Sequence, residues 1–165
     1  MQEHNAGEER ARRLETAVEG LLQRVEGLDG DAAYQEPGGG EWSVMKALAH
    51  VAEILPYWSR QARAVADGER GGQPFGRTHE DPDRIAAVEE HAHDPLDEVL
   101  PRLRSGLAEA ATTLRAIPPE GWARRGLHSR RGEMTVEQIV DLFLIEHVEE
   151  HAGQVQAVMD SLSGY

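Results

Sequence analysis

Apolar residues return at spacings of four and three in four separate stretches of the chain, each bounded by glycine or proline. That period buries one face of a helix, whereas a strand needs alternation, and no run here alternates long enough to form one. Leu14, Val18, Leu21, Val25 and Leu28 predict a helix from Gly7 to about Leu28. Tyr34 to Glu41 contains Pro37 followed by three glycines and is expected to be irregular, since glycine has the most backbone freedom to lose. Ser43 offers a capping oxygen to a second helix that runs to about Asp67, with Val44, Leu48, Val51, Leu55 and Trp58 on one stripe and a kink expected at Pro56. Residues 68–83 are rich in glycine, arginine and proline and read as the longest connection, with a short helix able to start at Asp81-Pro82. Asp94 as cap and Pro95 in the first turn open a third long helix, through Leu96, Leu100, Leu103, Leu107 and Leu114 to Ile117, before Pro118-Pro119. Residues 118–134 read as irregular. Thr135 and Gln138 then form a capping box for a last helix that shares Leu144, His147, His151, Val155, Val158 and Leu162 on one face.

Four such helices pack most simply as an all-α four-helix bundle, one domain over residues 1–165 with residues 1–6 expected to be a disordered tail. The connection after the second helix can span about 50 Å when extended, enough to cross the bundle and leave helices two and three parallel.

Thirty acidic against 17 basic residues give a net charge of −13, which repels nucleic-acid backbones and anionic membrane surfaces, so neither is an expected partner. Met1 to Glu15 carries charges where a secretory signal needs an apolar run, and no apolar stretch is long enough to span a bilayer; the expected location is the cytoplasm. With no cysteine, any metal must be held by His, Asp or Glu, and no step can use a protein thiol.

His147 and His151, four apart, stand one above the other on a helix face, as two ligands of one ion must. His50 lies at the edge of the apolar stripe of helix two, beside Ala47 and Ile54. If helices two and four are antiparallel, a rise of about 1.5 Å per residue brings His50 and His151 within roughly one turn of the same level. Three imidazoles on facing helices make an open three-ligand site, with Glu53, Glu146 and Glu150 as acids able to orient the rings. Two polar core histidines bonded to a neighbouring helix would produce the same spacing. Metal affinity is expected to fall below about pH 6.5, the ordinary imidazole value. His4, His79, His91, His93 and His128 are weaker candidates, His128 being placed to border the site; Trp42, Tyr57, Trp58 and Trp122 read as packing residues.

The segment from Glu41-Trp42-Ser43 to His50 and Glu53, the later Met134-Thr135 start, and the pattern H-x-x-x-H-x-x-Q over His147, His151 and Gln154 together resemble the DinB-like superfamily over most of the chain. The resemblance implies a bundle with a long crossover between parallel helices two and three, and a metal on His50, His147 and His151. It implies zinc first, with nickel or iron as alternatives. It also implies a metal-dependent enzyme that activates water or a low-molecular-weight thiol as cosubstrate for a small-molecule substrate, a transferase or hydrolase, in a possible homodimer. The thiol-dependent maleylpyruvate isomerases of the family usually have Glu where this chain has His147. The rival readings are a non-catalytic metal-binding or sensing module and a bundle whose histidines hold no metal. Arg124, Arg125, Arg130 and Arg131, on a loop facing the Gly38–Glu41 turn, are placed to hold the carboxylates of a thiol cofactor.

Overall fold

The computed structural model describes residues 5–38, 42–68 and 71–163. Helix α1 (Ala6–Val25) buries Ala11, Leu14, Val18, Leu21 and Val25, and Glu8 N donates to the Asn5 side chain at 3.0 Å. The helix thus begins inside the expected tail because Asn5 caps it. A short α2 (Gly30–Tyr34) follows, capped by Asp29. Helix α3 (Val44–Asp67) starts where Ser43 accepts from Lys46 N at 3.1 Å and continues through Pro56 without interruption. Pro56 cannot donate to the Ala52 carbonyl. That carbonyl faces Gly106 of the next long helix, where a side chain is missing.

Residues 68–95 form the crossover. It contains β1 (Gln73–Phe75) and α4 (Pro82–His91), the latter capped by Asp81. Helix α5 (Leu96–Ala116) starts one residue later than the sequence implies, with Pro95 in the cap position, because the Asp94 carboxylate is taken by Arg102 at 2.8 Å and by His91 at 2.7 Å. After a 3-10 turn (Pro119–Ala123), β2 (Arg125–His128) and β3 (Gly132–Thr135) form a hairpin, and β1 adds to β2 in parallel. This three-stranded patch corrects the expectation of irregular chain at 68–83 and 118–134. In β2 the alternation runs against polarity, since Gly126 and His128 are buried while Leu127 is exposed, so it leaves no apolar period of two in the sequence.

The capping box at Thr135 and Gln138 opens α6 (Val136–Ile139), a π-helical segment (Val140–Glu146) widens the next turns, and α7 (His147–Ser163) completes the last helix. Leu55 packs on Gly106 and Arg60 bonds Glu109 at 2.6 Å, so α3 and α5 run parallel. Gly7 meets Leu114, which sets α1 against α5 in the opposite sense, and Trp58 stacks on Phe143 while His50 meets His151, which makes α3 and the last helix antiparallel. The crossover runs back along α3: Gly76 N donates to Gln61 at 2.7 Å, Arg77 pairs with Glu53, and Lys46 lies 4.0 Å from Glu89. The core between these layers includes Leu14, Leu21, Leu48, Leu55, Leu103, Leu114, Leu144 and Ile145, all fully buried. Each such side chain contributes about 1.5–3 kcal/mol on transfer from water. The architecture is the all-α four-helix bundle with a long crossover, carrying a small sheet at one end. No helix among the described residues is long and apolar enough to cross a membrane.

Candidate metal centre

The antiparallel packing of α3 on the last helix brings His50, His147 and His151 together. Ring centroids are 4.7 Å apart for His50–His151 and for His147–His151, and 5.3 Å for His50–His147. One nitrogen from each ring lies within 4.8 Å of the other two, close enough for a single divalent ion to reach all three. His50 is fully buried and His151 is 7% exposed. Both ring nitrogens of His50 and Nε2 of His151 are buried without a hydrogen-bond partner. Leaving such a group unbonded costs about 1–3 kcal/mol, so a bundle whose histidines served only as packing would carry that penalty three times over.

The surroundings orient the rings. His151 Nδ1 donates to the Gln154 side-chain oxygen at 2.9 Å, which puts the lone pair on Nε2, a buried atom without a hydrogen-bond partner. Glu53 Oε2 lies 3.8 Å from His50 Nδ1, too far for a hydrogen bond, and the same carboxylate is held by Arg77, whose guanidinium covers the Tyr57 ring at 3.7 Å. Glu146 and Glu150, the other acids expected to orient the rings, are exposed.

Burial lowers the His50 pKa to about 2, with further repulsion from His151 and Arg84, and lowers that of His151 to about 4, aided by His147. His147 is also lowered by burial, while Glu150 and the Phe143 carbonyl pull the other way. All three rings are therefore neutral near pH 7, the state in which imidazole can ligate.

Trp42 is a wall of this site and no mere packing residue. It stacks on His151 at 5.8 Å and meets His50 edge-on at 5.3 Å. A cavity of about 430 Å³ opens on this side, between Trp42, Val155 and Val158, and a second of about 480 Å³ opens on the other, over Trp58 and Phe143; His147 and Arg84 line both. His128 is buried in β2, not in a loop. Its Nδ1 accepts from Arg130 N and Arg131 N at 3.2 Å each and its Nε2 donates to the Arg77 carbonyl at 3.2 Å, so it ties the hairpin turn to the crossover at the edge of the second cavity. His79 lines that cavity as well, whereas His91 is engaged with Asp94 and Arg102.

Of the four loop arginines, Arg124 bonds the carbonyls of Ala66 and Gly68 and Arg125 pairs with Glu133, so only Arg130 and Arg131 reach a cavity. Gly39 to Glu41, on the expected opposite rim, and His4 lie outside the described residues. Arg77 and Arg84 were not foreseen as site residues. The one signal for Arg84 is the Asp81-Pro82 helix start that places it on α4; nothing in the sequence points to Arg77.

Several solved structures share this fold. YfiT from Bacillus subtilis, described as a probable metal-dependent hydrolase with an unusual four-helix bundle topology, superposes with a TM-score of 0.80 at 16% identity over 98% of this chain and 90% of its own. A mycothiol-dependent maleylpyruvate isomerase gives 0.72 at 14% identity, over 90% of this chain and 60% of its own. A Streptococcus pneumoniae protein gives 0.73 at 9% identity, over 97% and 92%. No curated protein matches the sequence. At these identities the likeness is one of fold, but the DinB superfamily model matches residues 13–155, most of the chain. The chain belongs to the DinB superfamily.

Proposed function

We propose that the whole chain acts as one domain and holds a divalent metal on His50, His147 and His151, zinc first with nickel or iron as alternatives. In this reading it is a metal-dependent enzyme acting in the cytoplasm on a small-molecule substrate, with water or a low-molecular-weight thiol as the nucleophile. The observation that carries the reading is the set of buried, neutral, unbonded imidazole nitrogens converging between two cavities. A bound ion would supply Lewis acidity that lowers the pKa of water or a thiol, which suits a chain without cysteine.

The protein's own groups supply position and environment. Gln154 fixes the His151 tautomer, the Glu53–Arg77 pair backs His50, and Trp42 stacks on His151 and walls the first cavity. The cavities beside His147 leave room for a substrate. The hydrolase description of YfiT and the thiol dependence of the isomerase support this class of reaction. A non-catalytic closed site would need a fourth ligand such as Glu53 or Glu150; Glu53 Oε1 is held by Arg77, while its Oε2 is the one buried carboxylate oxygen without a partner among the described residues.

Cobalt substitution separates the two. An open site admits a thiolate, so added thiol should create a sulfur-to-cobalt charge-transfer band in the near ultraviolet, and the loaded protein should accelerate thiol addition to an electrophile. Cobalt binding without any thiol response, and without acceleration of a thiol or water reaction over a His147→Ala control, would reject the enzyme and leave the metal module.

A further inference from the structure

The chain carries a net charge of −13, yet the cavity of about 480 Å³ is lined by Arg77, Arg84, Arg130 and Arg131 and by no carboxylate among the described residues. Two of these cations are already matched, Arg77 by Glu53 and Arg130 by Glu80 at 2.6 Å. Arg84 and Arg131 have no acidic partner among the described residues. Arg84 is half-buried on α4 and bonds only the His79 carbonyl, at 2.9 Å. Burial and the neighbouring Arg77 lower its pKa; Glu53 acts against them but is committed to Arg77. A guanidinium remains charged at neutral pH regardless. Arg131 holds its guanidinium over the Phe143 ring, 5.7 Å from the centroid. Arg131 is exposed, but Arg84 is half-buried, and a partly buried cation without a counter-charge is costly.

The floor between them is apolar, built on Ile54 and on Trp58 stacked against Phe143 at 4.3 Å. The volume suits a small molecule. We infer that this cavity receives a small organic oxyanion, its charged head on Arg84 and Arg131 and its apolar body on Trp58 and Phe143. Because Arg84 and His147 line both cavities, a molecule so held lies beside the histidine triad. This deepens the proposed function by naming a substrate class, and it rests on that reading only for what happens after binding.

Calorimetric titration of the full-length, metal-loaded protein tests it with three aromatic probes: benzoate, phenyl phosphate and neutral benzyl alcohol. At least one anion should bind tenfold or more tightly than the alcohol, and the tighter of the two identifies the head group as carboxylate or phosphate. A bidentate charge-assisted contact is strong enough for Arg84→Met to remove tenfold or more of that preference. Arg131→Met should remove a smaller part, and Arg125→Met, whose guanidinium pairs with Glu133 outside the cavity, should remove none. If Arg84→Met fails to fold, Arg84→Lys and Arg131→Met carry the same comparison.

The titration is repeated after chelation. Anion binding that survives without metal and still depends on Arg84 supports the inference even if no metal-dependent reaction is ever found. Anion binding that disappears with the metal and is unchanged in Arg84→Met would mean the anion sits on the ion alone, and would overturn the inference while leaving the metal centre intact. Equal affinity for benzyl alcohol and both anions would overturn it as well.

Discussion

His50 is fully buried with both ring nitrogens unbonded, so its replacement should separate stability from metal binding. His50→Ala, His147→Ala and His151→Ala should each lose most of a metal content near one per chain, measured by elemental analysis, while His79→Ala and His93→Ala should not. His50→Leu should also lose the metal, but in chelator it should unfold at higher denaturant than the parent, by about 1–3 kcal/mol, because a buried orphan is replaced by an apolar group of similar size. Acid acts on the same residues. In the unfolded chain these imidazoles take up protons near pH 6.5, whereas in the folded, metal-free chain burial delays this to about 4 for His151 and about 2 for His50. Between those values the unfolded state binds more protons, so the stability they contribute is present above pH 6.5 and lost as pH falls below it. The metal-free protein should lose on the order of a few kcal/mol by pH 5, read from denaturant melts. The same lowering bears on metal binding: in the folded chain protons compete with the ion for His50 and His151 only well below the ordinary imidazole value of about 6.5, so occupancy at pH 6 should equal that at pH 8.

Between elements, α1 and α5 come into close contact at Gly7. A Cβ on Gly7 would lie 2.3 Å from the Leu114 carbonyl oxygen, and backbone cannot swing aside. Gly7→Ala should therefore destabilise by about 1–3 kcal/mol through forced separation of the two helices. Gly20, on the same helix with nothing within 4 Å, is the control: Gly20→Ala should stabilise by about 0.5–1 kcal/mol in urea titrations. The long helices were legible because burial writes a period of 3.6 into Leu14 through Val25 and Val44 through Trp58, and caps such as Ser43 and Thr135 mark their starts. The sheet was not. Gly126 is required where a side chain would strike Phe75 at 2.6 Å and Val65 at 2.9 Å, and Gly132 turns the hairpin at φ 75°, but a lone glycine in a loop-like stretch does not announce which neighbour needs the space. The π-helical segment was equally invisible, since Leu144, His147 and His151 keep their apparent face in either helix type.

For the molecule as a whole, the apolar core extends through all four long helices, so chelation should leave the helical circular dichroism intact while lowering the melting temperature. At free metal a hundredfold above its dissociation constant the loss is about 2.7 kcal/mol, or roughly 5–10 °C for a chain of this size. Collapse of the helical signal on chelation would contradict this view of the core. The convergence of the three histidines could be read from levels along antiparallel helices, because distance along a helix is fixed by rise per residue. The cationic cavity could not, since Arg77 and Arg84 arrive on the crossover and only the tertiary path brings them beside His50.

The parallel pairing of α3 and α5 also sets an order of assembly. In an up-and-down bundle each helix meets its neighbour through a short turn, but here α3, about 36 Å long from its 24 residues, must wait for the crossover to return along its full length before α5 can dock. Closing a long loop costs entropy before any contact is gained, and such non-local topologies fold more slowly than local ones. The histidines that meet in the finished protein are separated by most of the sequence, so the ion has no preformed place in the unfolded chain. In stopped-flow experiments zinc should therefore slow unfolding and leave the refolding rate unchanged, making the metal a lock closed at the end of folding and never its nucleus.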